Sequence, residues 1–489
     1  MDKYILYLFF LILIFASCSK KPENAEVLNR FPPIFPDYQN VTVPPNIAPL
    51  NFKLTDSSEN VYVEIAAKGK SVEMQCQKNI ASISINKWQQ LLESSKGDSL
   101  QLTVYSEKNG KWKKYKTFNI YVAKEPIDPY LVYRLIMPGY QTWNEMGIYQ
   151  RSLSSFEQKA ILNSKFLPGT CMNCHSFSQN NPDNMMLHLR EVNNGTLLRQ
   201  NGKLEYLSTK TPETFGNAAF PYWHPSNMFI AYSIDKVRQI FYSKNECRAE
   251  VLDMKSDIEV YDIVKNEMFT SPLLFSDKAF EVYPCFSPDG KTLYFCSAVA
   301  RKLPEEYKLV KYSICSIAFD AEKKQFGTTV DTLVSAYQTG KSSTFPRVSP
   351  DGKFMVFNMA DCGHSPAYRT DADLYMLDLK TRKFFPLNKL NSNDVESYHT
   401  WSSNSRWLIF SSKRIDGLYS TPFIAYMDKN GNPGKPFLLP QESPDFYKTF
   451  LFSYNIPELA IKQVSLNRNE VEKRIKEPAK QVLFRKLDR

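Results

Sequence analysis

After residue 16 this chain has no apolar run long enough to cross a bilayer as a helix, so any membrane attachment would be through lipid. Its 9 cysteines are too sparse over 489 residues for a disulfide-built scaffold, and its 5 histidines leave few ways to build a metal site. There is no Gly-x-Ser-x-Gly and no room after residue 440 for an α/β-hydrolase domain, which excludes that hydrolase class. Nucleic-acid-binding motifs are absent as well, so the net charge of +10 points elsewhere. Half of that excess lies between Lys462 and Arg489, where nine Lys/Arg face four Asp/Glu. This reads as a solvated, partly disordered tail, or as a contact for anionic lipid or an acidic partner. What remains is 43% hydrophobic and 14% aromatic, a globular composition with length for two or three cores.

The N-terminus supplies an address. Met1-Asp2-Lys3 precedes an apolar run from Tyr4 to Ala16, followed by Lys20-Lys21. That run has the length of a signal-peptide core and is too short for a permanent span. Phe15-Ala16-Ser17-Cys18 resembles a bacterial lipobox, which implies removal of residues 1–17 and lipidation of Cys18. A plain secretory signal cut nearby is the alternative, and either one exports the protein. Ser19 after the lipidated position favours the outer membrane, facing the periplasm.

Cys171-Met172-Asn173-Cys174-His175 is the single Cys-x-x-Cys-His of the chain. Two thiols at this spacing can anchor one porphyrin through its vinyl groups, with the adjoining His175 as proximal iron ligand. Half of a zinc site and a redox dithiol are the alternatives. His188 is the first choice for a distal iron ligand, with Met185, Met186 and His224 in reserve. Arg190 is a candidate contact for a haem propionate. Without a haem, the Met pair would be core packing, His224 a turn position and Arg190 a surface residue.

Along the chain the pattern is mainly β. Residues 18–37 read as a Pro-rich tether and 38–125 as a β-sandwich, with alternating runs such as Val61–Ile65 and one short helix near 87–95. Residues 126–192 read as a haem-binding segment of low strand content, with a helix near 155–164. From 193 to 460 a weak repeat appears: Ser287-Pro288-Asp289-Gly290, Ser349-Pro350-Asp351-Gly352 and the related turns at His224-Pro225 and Ser402-Ser403 each precede an apolar strand. Pro presets φ, Asp accepts backbone hydrogen bonds and Gly takes the left-handed position. About four strands per 50 to 60 residues is the period of a propeller blade, and six blades are expected. Residues 461–489 form the basic tail. Cys285 and Cys296, flanking one hairpin, are a candidate disulfide.

These repeated turns resemble the TolB-type propeller repeat. The order of parts is similar to exported bacterial TolB-like propeller proteins with one c-type haem motif, often labelled cytochrome c biosynthesis-type. It is also similar in layout to the hydrazine synthase alpha subunit, but lacks a second Cys-x-x-Cys-His, so that chemistry is not carried over. The reading expects a lipid-anchored monohaem c-type protein of the cell envelope, matured by the cytochrome c assembly machinery. It would transfer electrons to a redox partner protein, or sense redox state, with the propeller as a binding platform. The alternative is a non-enzymatic propeller scaffold for a protein or glycan partner, with the Cys-x-x-Cys-His structural or metal-binding.

Overall fold

The computed structural model describes residues 21–76, 79–137, 145–241 and 249–485. Cys18 and the apolar run before it lie outside them, as does the side chain of Cys174. The fold is mainly β, as expected. Its N-terminal part joins a seven-stranded and a three-stranded sheet around one apolar core, closed by the helix Ile85–Ser94, which buries Trp88, Leu91 and Leu92. The expected tether is shorter than the sequence suggested. Glu26–Val27 pairs with Lys113 and Lys114, and Ile34–Phe35 pairs with Phe52–Leu54. The Pro-rich stretch runs extended with Pro32, Ile34, Pro36 and Tyr38 buried in alternation, so it belongs to the domain.

Among the described residues six sheets make up the rest, antiparallel except for one short outer strand in each of two. Their innermost strands are β1 (Thr170–Ser178), β2 (Ala218–Trp223), β3 (Ala279–Phe286), β4 (Ser342–Val348), β5 (Glu396–Trp401) and β6 (Ser453–Ala460). Each touches the next, and β6 touches β1, so the inner strands close a ring of propeller type. Closure comes from β6 pairing with Tyr130–Ile136, which joins the end of the chain to strands more than 300 residues earlier.

The ring therefore begins near residue 130, not 193. Residues 126–192, expected to be poor in strand, carry Tyr130–Ile136, Gly147–Ser152, Gln158–Asn163, β1 and Asn181–Glu191. The helix expected near 155–164 is the strand Gln158–Asn163, paired with Gly147–Ser152. Its Gln, Lys, Ala and Leu favour helix locally, but pairing at the edge of an existing sheet overrides that preference. The C-terminal segment is also ordered. The helix Arg468–Lys476 buries Val471, and Lys480–Gln481 and Leu483–Phe484 add in parallel to the outer edges of the β1 and β2 sheets. Val482, 1% exposed, is buried between them. A strap across two open edges is what the basic composition concealed. Cys285 and Cys296 are both free, buried thiols, so no disulfide joins that hairpin.

Candidate functional site

The repeated turn is built the same way each time. Ser287 Oγ donates to Asp289 Oδ1 at 2.5 Å, and the N–H of Thr292 donates back to Ser287 Oγ at 3.0 Å. Ser349 with Asp351 and Ser402 with Asn404 repeat both bonds. His224 takes the Ser slot in the β2 sheet. Its Nδ1 meets Ser226 Oγ at 2.7 Å and its Nε2 meets the Gly290 carbonyl at 3.0 Å. A Cβ on Gly290, whose φ is +72°, would sit 2.3 Å from that Nε2. Both ring nitrogens are engaged, so His224 is a turn-to-turn stitch and not an iron ligand.

A second repeat lies just before the turn. In every inner strand the pairing register slips by one residue where two residues oppose a single partner: Phe220-Pro221, Tyr283-Pro284, Phe345-Pro346, Tyr398-His399 and Ile456-Pro457 bulge out of the ladder. The first residue of each pair has positive φ, between 46° and 58°. This turns its side chain toward the axis. Phe220, Tyr283, Phe345 and Tyr398 contact in series, with ring centroids 4.7, 4.8 and 5.3 Å apart. In β1 the slip falls between Asn173 and Ser176, so Cys174-His175 occupies the same slot. Cys-His-Ser-Phe-Ser is thus the propeller's own unit, aligned with Tyr-Pro-Cys-Phe-Ser at 283–287. The same stretch thus carries both the Cys-x-x-Cys-His spacing and the propeller's repeat.

Above the aromatic series, on the side of the turns, lies a funnel of about 360 Å³ to which all six inner strands contribute. Its apolar wall includes Phe220, Tyr222, Trp223, Phe286, Phe345 and Trp401, and its polar wall includes His175, Asn180, Arg347 and Glu458. Asn180 holds the β1 turn in place by donating to the carbonyls of Trp401 (3.1 Å) and Leu459 (2.9 Å). Glu458 Oε1 accepts from the Phe177 N–H at 3.0 Å, and Oε2 lies 3.9 Å from His175 Nε2. Burial pushes the Glu458 carboxyl up to about 8 and pulls the His175 imidazole down to about 3, so both are neutral near pH 7. Glu458, Arg347 and Asn180 were not singled out from sequence. No spacing links them, since they come together only when the ring closes.

The expected haem was tested against these residues, and they fit it in part. The His175 ring hydrogen-bonds the Val132 backbone, and its Nε2 is buried without a partner. This is the orientation a ligating imidazole needs: one nitrogen anchored, the other holding a lone pair. His188 does not fit as the trans ligand. It sits directly opposite Asn173 on the neighbouring strand, with Nδ1 at 3.1 Å from Thr196 Oγ1. Paired strands lie about 4.8 Å apart, leaving no room for a porphyrin between them. Met185 and Met186 are core residues on opposite faces of the β1 sheet, in separate apolar clusters. Arg190 pairs in register with Cys171, and its charge acts on His188 and Asp235 away from the funnel wall. Cys171 is buried within the cluster between the β6 and β1 sheets. Among the described residues no group of three or more His, Cys, Asp or Glu is placed to hold a metal ion.

A different set of titratable groups fills the interior of the β2 and β3 sheets. Asp235, Asp253, Asp257, Glu259 and Glu281 are all buried or nearly so. Burial raises Asp257 to about 6 and Glu259 and Glu281 to about 8. Tyr312 donates to Asp253 Oδ2 at 2.6 Å, which it shares with Ser256.

No family model and no curated protein matches the chain. Solved structures similar to it include an oligogalacturonate lyase in complex with manganese, at 10% identity and TM-score 0.36, covering 62% of this chain and 73% of that one. Prolyl oligopeptidase B from Galerina marginata is similar at 9% identity and TM-score 0.35, covering 68% of this chain and 41% of that one. A DUF4784 family protein from Bacteroides caccae is similar at 10% identity and TM-score 0.31, covering 72% and 94%. The chain thus spans about two fifths of the oligopeptidase it matches. The class of this protein, mainly β and of propeller type, is defined by its own closed ring of inner strands.

Proposed function

We propose that the axial funnel is the working site and that the chain takes a haem c beside it, with Cys171 and Cys174 as the attachment thiols and His175 holding the iron; Cys171 would have to leave the apolar cluster in which it packs. The observation that carries this reading is the His175 ring, held by the Val132 backbone with Nε2 buried and unpartnered in an aromatic wall. When bound, haem supplies reversible one-electron chemistry. The chain does the rest. Tyr222, Trp223 and Trp401, which line the funnel, would limit water around the bound group, and the Val132 backbone holds the His175 ring. Glu458, neutral near pH 7, adds no charge beside it. His188, bonded to Thr196 on the neighbouring strand, would not hold the iron.

The rest of the proposal is a protein lipidated at Cys18 and held at the outer membrane facing the periplasm. It is matured by the cytochrome c machinery and passes or senses electrons with a redox partner protein. A pyridine haemochrome spectrum of matured protein, taken after acid-acetone extraction, tests it. Haem that stays with the chain and vanishes in Cys171→Ala/Cys174→Ala supports the reading, and a colourless matured protein overturns it.

A second reading has its own observation. His399 fills the same slot in β5 and bonds the Val356 carbonyl at 2.9 Å, in place of the Pro found in four other strands. On that reading His175 is a stitch, and the funnel serves a propeller scaffold without haem.

A further inference from the structure

The polar groups of the funnel are few and unevenly matched. Arg347 directly follows the Phe345-Pro346 bulge, which brings its guanidinium to 4.4 Å from the Phe345 ring centre and 5.4 Å from that of Tyr222. Its Nη1 donates to the carbonyl of its own neighbour Pro346 at 2.8 Å, and among the described residues no ion pair joins it to a carboxylate. Glu458, the one carboxylate residue in the wall, turns its oxygens to Phe177 and His175 instead. Trp223, in the same wall, carries a buried indole N–H with no acceptor. A half-buried guanidinium flanked by two rings, near Glu458 but in ion-pair contact with no described carboxylate, is poised for an anion, and an unsatisfied N–H in the same wall adds a second donor. The rings around it suit a flat apolar body.

We propose that the funnel selects a ring-bearing ligand with an acidic group, that Arg347 pairs with the acid, and that Trp223 Nε1 is a second donor. This rests on the funnel being the working site, but not on haem: a porphyrin propionate and a free aromatic acid share this chemistry. It also moves the carboxylate contact from Arg190, which lies elsewhere, to Arg347.

The test uses the full-length Cys171→Ala/Cys174→Ala chain, which carries no covalent haem, and two dyes that differ by one sulfonate. These are 8-anilinonaphthalene-1-sulfonate and the uncharged N-phenyl-1-naphthylamine, titrated by fluorescence. The expected result is one anionic dye per chain. Arg347→Gln should weaken it about tenfold or more while changing the neutral dye by no more than about twofold. Arg347→Lys, which keeps the charge without the planar fork, should recover part of the loss. Equal loss of both dyes, no loss of either, or binding of neither overturns the proposal. Titrating matured wild type separates the two sources. A resident haem excludes the dye and Arg347→Gln shifts its reduction potential, whereas a free acid leaves dye binding unchanged. Failure of the haem reading shows as a colourless wild type and leaves the dye result standing.

Discussion

The inner strands β1 and β5 place a histidine at the same point of the fold. His175 and His399 both follow the first residue of a register slip, and both hydrogen-bond a valine of the preceding sheet, Val132 and Val356. Each keeps one buried ring nitrogen without a partner, Nε2 of His175 and Nδ1 of His399. They differ in what lies beyond the ring. His399 packs beside Phe345, with ring centroids 6.0 Å apart, in a closed core. His175 stands in the funnel wall, 3.9 Å from Glu458, one residue after Cys174. The lesson is that a propeller slot fixes a ring by backbone bonding whatever the ring is used for, and neighbouring strands decide whether the spare nitrogen has a role.

The sharpest way to break the comparison is spectral. In matured protein His175→Ala should abolish the native haem absorption bands, and His399→Ala should leave them in place. Matching spectra for the two variants would reduce His175 to a stitch. Next in size is the strap, which covers the edge of the β1 sheet and has no counterpart on the β5 sheet. Deleting residues 467–489 uncovers two edges and removes buried Val471 and Val482. That should cost about 3–6 kcal/mol in urea unfolding at roughly 1.5–3 kcal/mol for each buried side chain.

The pH dependence falls alike on the funnel, through Glu458, and on the interior of the β2 and β3 sheets. Glu259 and Glu281 are raised by burial to about 8, so the folded state holds protons that the unfolded chain releases near 4.5. Stability is then fullest below about pH 4.5 for these groups and falls as pH rises through about 8. Thermal melts should show a lower midpoint at pH 8 than at pH 5.5, and Glu259→Gln with Glu281→Gln should flatten that slope. The smallest effect is expected for His399→Pro. Pro already fills the slot in β2, β3, β4 and β6, so the change should stay within about 1 kcal/mol. A much larger loss would mean that the bond to Val356 is needed in β5.

How much of this was legible in advance differs from residue to residue. Ser-Pro-Asp-Gly could be read because its backbone chemistry is local: Asp289 bonds the N–H two residues on, and Gly290 supplies the positive φ. The alternating strands of the N-terminal sheets and the helix Ile85–Ser94 were visible for the same reason. The strand Gln158–Asn163 was missed because its composition favours helix and only its neighbour Gly147–Ser152 decides otherwise. Cys-x-x-Cys-His was read as a motif, while its alignment with the Tyr-Pro and Phe-Pro slots needed the register slips to be seen.

By itself the sequence determined the mainly β character, the repeating turns and the presence of two thiols beside a histidine, because each depends on residues within a few positions. Only the tertiary structure decided that β6 would close the ring on Tyr130–Ile136, and that His188 would sit opposite Asn173 and bond Thr196 within the sheet. It also brought Arg347, Glu458 and Trp223 into one funnel. Those three are separated by more than a hundred residues of chain, and what unites them is the curvature that returns every inner strand to a common axis.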